Sequence, residues 1–157
     1  MEQLFITFKQ YQSLCDRLIE QVQASGWQPD HILGVSRGGL PLADALSRAL
    51  KKPMAVLAAS SYQGEQGMRQ GELRVSASIA TIQPLAGKVL LVDDLVDSGQ
   101  TLQQLTQIVP THCHQSIQLR TAVLWTKSST RFQPHYWVET LAENCWVVQP
   151  FEWRDFE

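Results

Sequence analysis

The sequence predicts an α/β fold, in which a parallel sheet carries helices on both of its faces. Short aliphatic runs bounded by glycine or polar residues alternate with segments whose apolar residues recur at helical spacing. The aliphatic runs contain few polar residues, which is typical of strands buried on both faces. Chemically distinctive loops follow three of these runs, at the sheet edge where parallel α/β folds bind ligands.

Three helices and six strands are predicted. Thr7 is a candidate N-cap for a helix over 8–24, and Gly26 would end that helix. Two further helices are predicted over 41–50 and 100–108 from their apolar spacing. The predicted strands, in chain order, cover 31–35, 53–59, 88–93, 117–125, 136–139 and 145–148.

Composition narrows the class of protein. The 157 residues, 44% of them hydrophobic and 18% charged, predict one globular domain over 1–157. The formal net charge of -2 gives no electrostatic reason to expect nucleic acid as a partner. The N-terminal segment lacks the layout of a signal peptide, and no apolar run is as long as a membrane span. Cys15, Cys113 and Cys145 form an odd, scattered set, which indicates a reducing cytoplasm.

The run 89–101 is the most informative feature of the chain. Four aliphatic residues lead into Asp93 and Asp94, and a short loop then supplies Asp97, Ser98 and Gly99 before the predicted third helix. A glycine- and hydroxyl-containing loop at a helix N-terminus can cradle a phosphate through free backbone N–H groups. The adjacent carboxylates would instead hold sugar hydroxyls or Mg²⁺. The alternative is an ordinary turn after the strand, with Asp97 or Ser98 as helix cap.

The run resembles the phosphoribosyl-pyrophosphate (PRPP) signature of the type I phosphoribosyltransferases. The resemblance implies a Rossmann-like parallel sheet flanked by helices, with a flexible hood loop and a small C-terminal base-binding extension. It implies that Asp93 and Asp94 hold the ribose hydroxyls and a Mg²⁺ ion. Asp97 would lie near N7 of a purine, as a general base or a stabiliser of positive charge. The 5-phosphate would bind to Asp97, Ser98, Gly99, Gln100 and Thr101.

A glycine-rich loop after the first predicted strand resembles the pyrophosphate loop of the same family. Its residues are Ser36, Arg37, Gly38 and Gly39. Glycine permits close approach to an anion, and the guanidinium suits phosphate oxygens. In the family the peptide bond at this loop is often cis, which predicts a cis bond around Ser36-Arg37. The alternative is a common turn with an exposed arginine.

The polar segment 60–74 resembles the family's hood, which excludes water from the reaction and opens for exchange. Arg69 and Arg74 are both candidates to reach pyrophosphate when the hood closes. The stretch 64–74 is expected to be the most mobile internal segment without ligand and to gain order with PRPP and Mg²⁺. An ordinary solvated hairpin is the alternative.

Two later segments resemble the base site of bacterial xanthine-guanine phosphoribosyltransferases. Lys127 follows a strand and would donate to the exocyclic oxygen of a 6-oxopurine, while Trp146 would stack on the base and Val147 would offer backbone groups. The chain departs from that pattern at Val148, where an acid is expected, and at Glu152, where aspartate is expected. The alternatives are a solvated lysine and a tryptophan buried in the core.

Together these resemblances imply transfer of the 5-phosphoribosyl group from PRPP to guanine, xanthine or hypoxanthine. The products would be a purine nucleotide and pyrophosphate, whose developing charge Arg37 would stabilise. The family resemblance also implies Mg²⁺, purine salvage and a homo-oligomer, as a dimer or tetramer. Two alternatives remain open: a PRPP-sensing regulator without transferase activity, and a phosphoribosyltransferase for another base.

Overall fold

A computed structural model describes residues 1–61 and 72–157. Within these residues the helices are α1 Phe8–Ala24, α2 Leu40–Leu50 and α3 Gln100–Ile108, with two short 3-10 helices at Val109–His112 and Trp153–Phe156. The strands are β1 Glu2–Phe5, β2 His31–Ser36, β3 Met54–Ser61, β4 Leu73–Val75, β5 Gly87–Val92, β6 Leu95–Val96, β7 Ile117–Ala122, β8 Trp125–Lys127, β9 Glu139–Leu141 and β10 Cys145–Val148. The α/β class predicted from the sequence is confirmed.

The central sheet has the strand order β4-β3-β2-β5-β7. Strands β3, β2, β5 and β7 pair in parallel, and β4 adds an antiparallel edge. The connection through α2 leads from β2 to β3, while the connection through α3 leads from β5 to β7 on the opposite side. The direction of winding therefore reverses between β2 and β5, and such a switch point is where open α/β sheets bind ligands.

Local sequence signals explain the first helix. The Thr7 side chain accepts from the Gln10 backbone N–H, and the Gln10 side chain accepts from the Thr7 N–H, which completes a capping box. The helix ends at Ser25, and Gly26 follows with φ 75°. The Thr7 cap and the range 8–24 are confirmed.

Both faces of the central sheet are covered by apolar layers. One layer packs α1 and α2 against the sheet and includes Leu18, Leu42, Leu46 and Leu90. The other layer lies under α3 and includes Leu102 and Leu105 packed with Leu33 and Leu91. Alternate residues of β2 and β5 thus face opposite layers, which explains why these strands are aliphatic throughout. In the described residues no helix is both long and apolar enough to cross a membrane.

The structure corrects two predicted strands. The segment predicted as one strand over 117–125 divides into β7 and β8, which belong to different sheets. The division follows from hydrogen bonding: the N–H groups of Leu124 and Trp125 both donate to the Asp94 carbonyl, which turns the chain away from β5. The strand predicted over 136–139 is instead β9, which begins at Glu139. Among the described residues, Tyr136 takes part in β-pairing through an isolated bridge to Ala122.

Two small sheets complete the fold. Strand β1 pairs in parallel with β10, and β6, β8 and β9 form a three-stranded sheet. The sequence pattern predicts neither β1 nor the short strands β4 and β6. Pairing of β1 with β10 fastens the C-terminal segment, since Phe5 lies opposite Val148 and the Ile6 N–H donates to the Val148 carbonyl at 2.9 Å.

Candidate active site

The two loops that leave β2 and β5 meet at the switch point of the central sheet. Strands β2 and β5 are hydrogen-bonded neighbours, with Gly34 opposite Val92. The loop after β2 begins at Ser36 and Arg37, whose peptide bond is cis, as the resemblance predicts. The loop after β5 begins at Asp93 and Asp94. Two segments that are more than fifty residues apart in the sequence therefore become adjacent.

Asp93 and Asp94 are held by backbone N–H groups at the end of β5. The Asp94 N–H donates to Asp93 Oδ1 at 2.9 Å, and the Leu95 N–H donates to Asp94 Oδ1 at 2.8 Å. Burial raises the pKa of Asp93 well above its usual value, and the neighbouring Asp94 carboxylate raises it further. A pair of carboxylates in this state would be stabilised by a cation or by hydroxyl donors.

The glycines of the first loop permit close approach to this pair. A Cβ on Gly38 would overlap Asp94 Oδ2, and a Cβ on Gly39 would lie 2.8 Å from the Val35 carbonyl oxygen and 2.9 Å from Asp93 Cα. No side chain larger than hydrogen fits at either position without displacing these atoms. Glycine is thus required here by the contact between the two loops. Arg37 precedes them and is exposed.

The loop before α3 forms a small cleft. Gly99 is the N-cap residue with φ 95°, a conformation that favours glycine, and the Gln100 N–H donates to Ser98 Oγ at 3.3 Å. The cleft has a volume of about 110 Å³. It is lined by Asp93, Leu95, Val96, Asp97, Ser98, Gly99, Thr101 and Leu102. Asp97 is exposed, and the N-terminus of α3 faces the same loop, so the arrangement suits an anion.

The C-terminal segment closes a second cleft beside the carboxylate pair. This cleft, of about 330 Å³, is lined by Arg37, Gly38, Pro41, Asp94, Phe151, Glu152 and Asp155. One cation and three carboxylates therefore line the same space. Burial raises the pKa of Glu152, although the hydrogen bond from the Gln149 backbone N–H opposes the shift.

Gln149 joins the C-terminal segment to the carboxylate pair. Its side chain is 4% exposed, and its Nε2 donates to Asp94 Oδ2 at 2.6 Å. Its backbone N–H donates to Glu152 Oε2 at 2.9 Å. Gln149 is not among the site residues that the sequence predicts. Its only signal there is its place three residues after Trp146 in the segment that resembles the base site.

Lys127 lies at the end of β8 and is 6% exposed. Its Nζ donates to the carbonyl oxygens of Cys145 and, at 3.2 Å, of Glu143. The lysine is thus not solvated, which removes one of the alternatives. It lies beside β10, which carries Trp146, 51% exposed, and Val147, 9% exposed. Trp146 is not a core residue, so its indole is available for stacking.

The hood residues are only partly described. Arg69 lies outside the described residues, as does the segment 62–71 of the predicted hood. Arg74 is described and belongs to β4, where it lies opposite Ser60 of β3 and is exposed. The structure therefore brings together the first loop, the carboxylate pair, the cradle and the C-terminal segment.

Comparison with known families is in agreement with this arrangement. The family model described as "Phosphoribosyl transferase domain" matches residues 7–155 of the chain. The chain belongs to the phosphoribosyl transferase domain family. Its parallel sheet, with loops converging at the switch point, is the type I phosphoribosyltransferase fold.

Individual relatives are similar over most of the chain. The xanthine-guanine phosphoribosyltransferase of Cereibacter sphaeroides is 25% identical over 148 residues, covering 87% of this chain and 83% of that protein. The crystal structure of a purine phosphoribosyltransferase from Pyrococcus horikoshii has a TM-score of 0.78 at 29% identity, covering 96% of this chain and 95% of that one. The transcriptional regulator GfcR 2 of Methanosarcina barkeri is 27% identical over 96 residues, covering 60% of this chain but only 45% of that protein.

Proposed function

We propose that the protein is a Mg²⁺-dependent phosphoribosyltransferase of purine salvage, which transfers the 5-phosphoribosyl group from PRPP to a 6-oxopurine. The base would be guanine, xanthine or hypoxanthine, and the products a nucleotide and pyrophosphate. Membership of the family supports phosphoribosyl transfer. The relatives from C. sphaeroides and P. horikoshii support a purine as acceptor.

One observation carries the proposal. The carboxylate pair, the anion cradle before α3 and the glycine loop with Arg37 converge at one switch point. Each part suits one part of PRPP: the cradle its 5-phosphate, the carboxylates its ribose, and the loop its pyrophosphate. A site built for a single phosphate would need the cradle alone. The convergence of all three supports PRPP as substrate.

The donor set fits a Mg²⁺ ion that is bound together with its substrate. Among residues 1–61 and 72–157, no group of three or more His, Cys, Asp or Glu side chains is arranged to hold a metal ion. Mg²⁺ commonly takes only one or two carboxylates from the protein and completes its shell with substrate oxygens and water. Asp93 and Asp94 provide such a pair. When bound, the ion would supply charge neutralisation to the departing pyrophosphate.

The chain's own residues would act chiefly by position and charge. Backbone N–H groups of the 98–101 loop would hold the 5-phosphate at the N-terminus of α3. Arg37 would stabilise the negative charge that gathers on pyrophosphate. Asp97, exposed beside the cradle, would take the proton from the purine or stabilise positive charge on it.

Base choice would depend on Lys127. A lysine ammonium carries three donors, and two of them are used by the carbonyls of Cys145 and Glu143. The remaining donor suits a carbonyl oxygen and has no complement on the 6-amino group of adenine. The exposed indole of Trp146 is available to stack on the ring, and the backbone of Val147 can pair with its edge.

The proposal also covers the cellular compartment and the oligomeric state of the enzyme. Cys15, Cys113 and Cys145 are all free thiols, which supports a reducing cytoplasm. Several large apolar side chains are exposed, which supports a homo-oligomer. They include Phe5, Phe8, Trp153 and Phe156.

The second candidate is a regulator that binds PRPP without transferring it. The similarity to GfcR 2 favours it, but that match covers less than half of the regulator. Retention of Lys127 and Trp146 favours the enzyme, because a sensor of PRPP alone needs no base site.

Product analysis separates the two candidates. The purified protein is incubated with PRPP, Mg²⁺ and, in turn, guanine, xanthine, hypoxanthine, adenine and uracil, and nucleotide is measured by chromatography. Nucleotide with one or more 6-oxopurines is the expected result. PRPP binding by calorimetry with no nucleotide from any base would support the regulator. Preference for adenine would overturn the base assignment.

A further inference from the structure

We infer that Gln149 is a positioning residue that orients the Asp94 carboxylate for PRPP. The inference rests on the proposed function, since it takes Asp94 as a ligand of the PRPP ribose and its Mg²⁺. It adds a residue from the C-terminal segment to the PRPP side of the site. That segment otherwise contributes to the base side, through Trp146 and Val147.

The contacts of Asp94 carry the inference. Its Oδ1 accepts from the Leu95 N–H at 2.8 Å, and its Oδ2 accepts from Gln149 Nε2 at 2.6 Å. One hydrogen bond to each oxygen sets the plane of the carboxylate. The Leu95 donor comes from the adjacent backbone, whereas Gln149 lies 55 positions later in the chain. Gln149 is thus the long-range support of this carboxylate.

The amide is itself firmly placed. The Gln149 side chain is buried, and its backbone N–H is bonded to Glu152 Oε2 at 2.9 Å. Its Nε2 has a second, longer contact to Glu152 Oε1 at 3.4 Å. The amide nitrogen thus lies between two carboxylates, each of which can only accept when ionised. This arrangement selects the orientation in which nitrogen, and not oxygen, faces Asp94.

Room around Asp94 is also limited. Gly38 lies so close that a Cβ there would overlap Asp94 Oδ2. The same oxygen is therefore bounded by the pyrophosphate loop on one side and by Gln149 on another. Loss of the Gln149 donor would leave the partly buried Oδ2 without this partner, and the carboxylate could then rotate about its remaining bond to the Leu95 N–H.

The test compares Gln149→Met, Gln149→Glu and, as a matched control for charge, Gln104→Glu on the exposed surface of α3. Methionine keeps the length of the side chain and removes the donor. Glutamate keeps the shape, but at neutral pH it replaces the amide donor by a carboxylate that can only accept, beside the carboxylates of Asp94 and Glu152. Thermal unfolding first identifies which variants fold. If Gln149→Met does not fold, the near-isosteric Gln149→Glu carries the test.

The readouts are KM for PRPP, KM for the base, and PRPP affinity by calorimetry with Mg²⁺. We expect Gln149→Met to raise KM and Kd for PRPP by about tenfold, equivalent to about 1.4 kcal/mol. KM for the base should change less than about twofold. Gln149→Glu should bind PRPP more weakly than Gln149→Met does. Gln104→Glu should match the wild type.

Each other outcome overturns the inference. A rise in KM for the base with unchanged PRPP affinity would mean that Gln149 only fastens the segment bearing Trp146. Unchanged constants for both ligands would mean that the Asp94 contact has no role in binding. In both cases the wild type still makes nucleotide, so the proposed function stands. A wild type that neither binds PRPP nor makes nucleotide overturns the proposed function and this inference together.

Discussion

Substitution of Lys127 by methionine tests the base assignment, and the size of the expected loss of stability follows from the contacts of Lys127. Methionine keeps the apolar stem and removes the ammonium. The Cys145 carbonyl, which accepts from Nζ in a buried position, would lose its partner. The Glu143 carbonyl belongs to an exposed residue and can turn to water. Hydrogen bonds to charged groups contribute about 1.5–3 kcal/mol, so the free energy of unfolding should fall by about 2 kcal/mol.

This loss gives an observable change in stability. For a chain of this size, about 1 kcal/mol shifts the unfolding temperature by about 2–4 °C. Lys127→Met should therefore unfold about 4–8 °C below the wild type, while Lys9→Met, on the exposed face of α1, should not. The unfolding curves then set an assay temperature at which both the wild type and the variant are native, so that kinetics are measured on the folded state.

The kinetic effect should fall on the base alone. If the third donor of Lys127 binds the 6-oxo group, its loss costs about 1–3 kcal/mol, and kcat/KM for the base should fall by about one to two decades. KM for PRPP should hardly change, because Lys127 contacts the carbonyls of the C-terminal segment and not the loops around Asp94.

Initial rates are measured with the base varied at saturating PRPP, and then with PRPP varied at saturating base. Equal loss for PRPP and every base would refute the assignment of Lys127 to the 6-oxo group. Unchanged efficiency with a lowered unfolding temperature would assign Lys127 a purely structural role.

Three further outcomes are expected. Asp97→Asn keeps size but removes basicity, so turnover should fall by about 10²–10⁴-fold with little change in KM for PRPP; near-normal turnover would remove Asp97 from the mechanism. Activity should require Mg²⁺ or Mn²⁺, and full activity in excess chelator, with metal content checked, would contradict the proposed use of the carboxylate pair. Asp93→Asn should raise the unfolding temperature at pH 7, because the raised pKa of Asp93 means that the folded state holds its proton more tightly than the unfolded chain. Stability from this group is present below the unfolded pKa, about 3.9, and is lost as pH rises towards the folded value. The gain over the wild type should therefore vanish at low pH. The control is Asp16→Asn at an exposed position, and an Asp93→Asn variant less stable than this control at pH 7 would contradict the raised pKa of Asp93.

The sequence predicts well what depends on local patterns. The Thr7 cap, the helix over 8–24 and the strand over 145–148 are confirmed because each depends on neighbouring residues. The convergence of the 36–39 and 93–101 loops is predictable as well, since parallel strands bring their carboxyl ends to one edge.

What the sequence does not predict depends on contacts between distant segments. The strand expected over 117–125 is interrupted because the N–H groups of Leu124 and Trp125 donate to the Asp94 carbonyl, about thirty residues earlier in the chain. In the sequence, Gln149 is one polar residue among others near the C-terminus, and nothing local marks it. Only folding places its amide against Asp94. Neither contact leaves a periodicity or a spacing in the sequence.

Both of these contacts involve Asp94, which indicates why the site is assembled from separate segments. At the end of this buried strand, burial raises the pKa of Asp93, and repulsion by the adjacent Asp94 carboxylate raises it further. Donors can offset the repulsion only if they come from outside the strand, because the backbone of β5 is already paired on both sides. The Gln149 amide is such a donor. The segment that carries the proposed base-binding residues is therefore also the segment that supports Asp94 on the proposed PRPP side of the site.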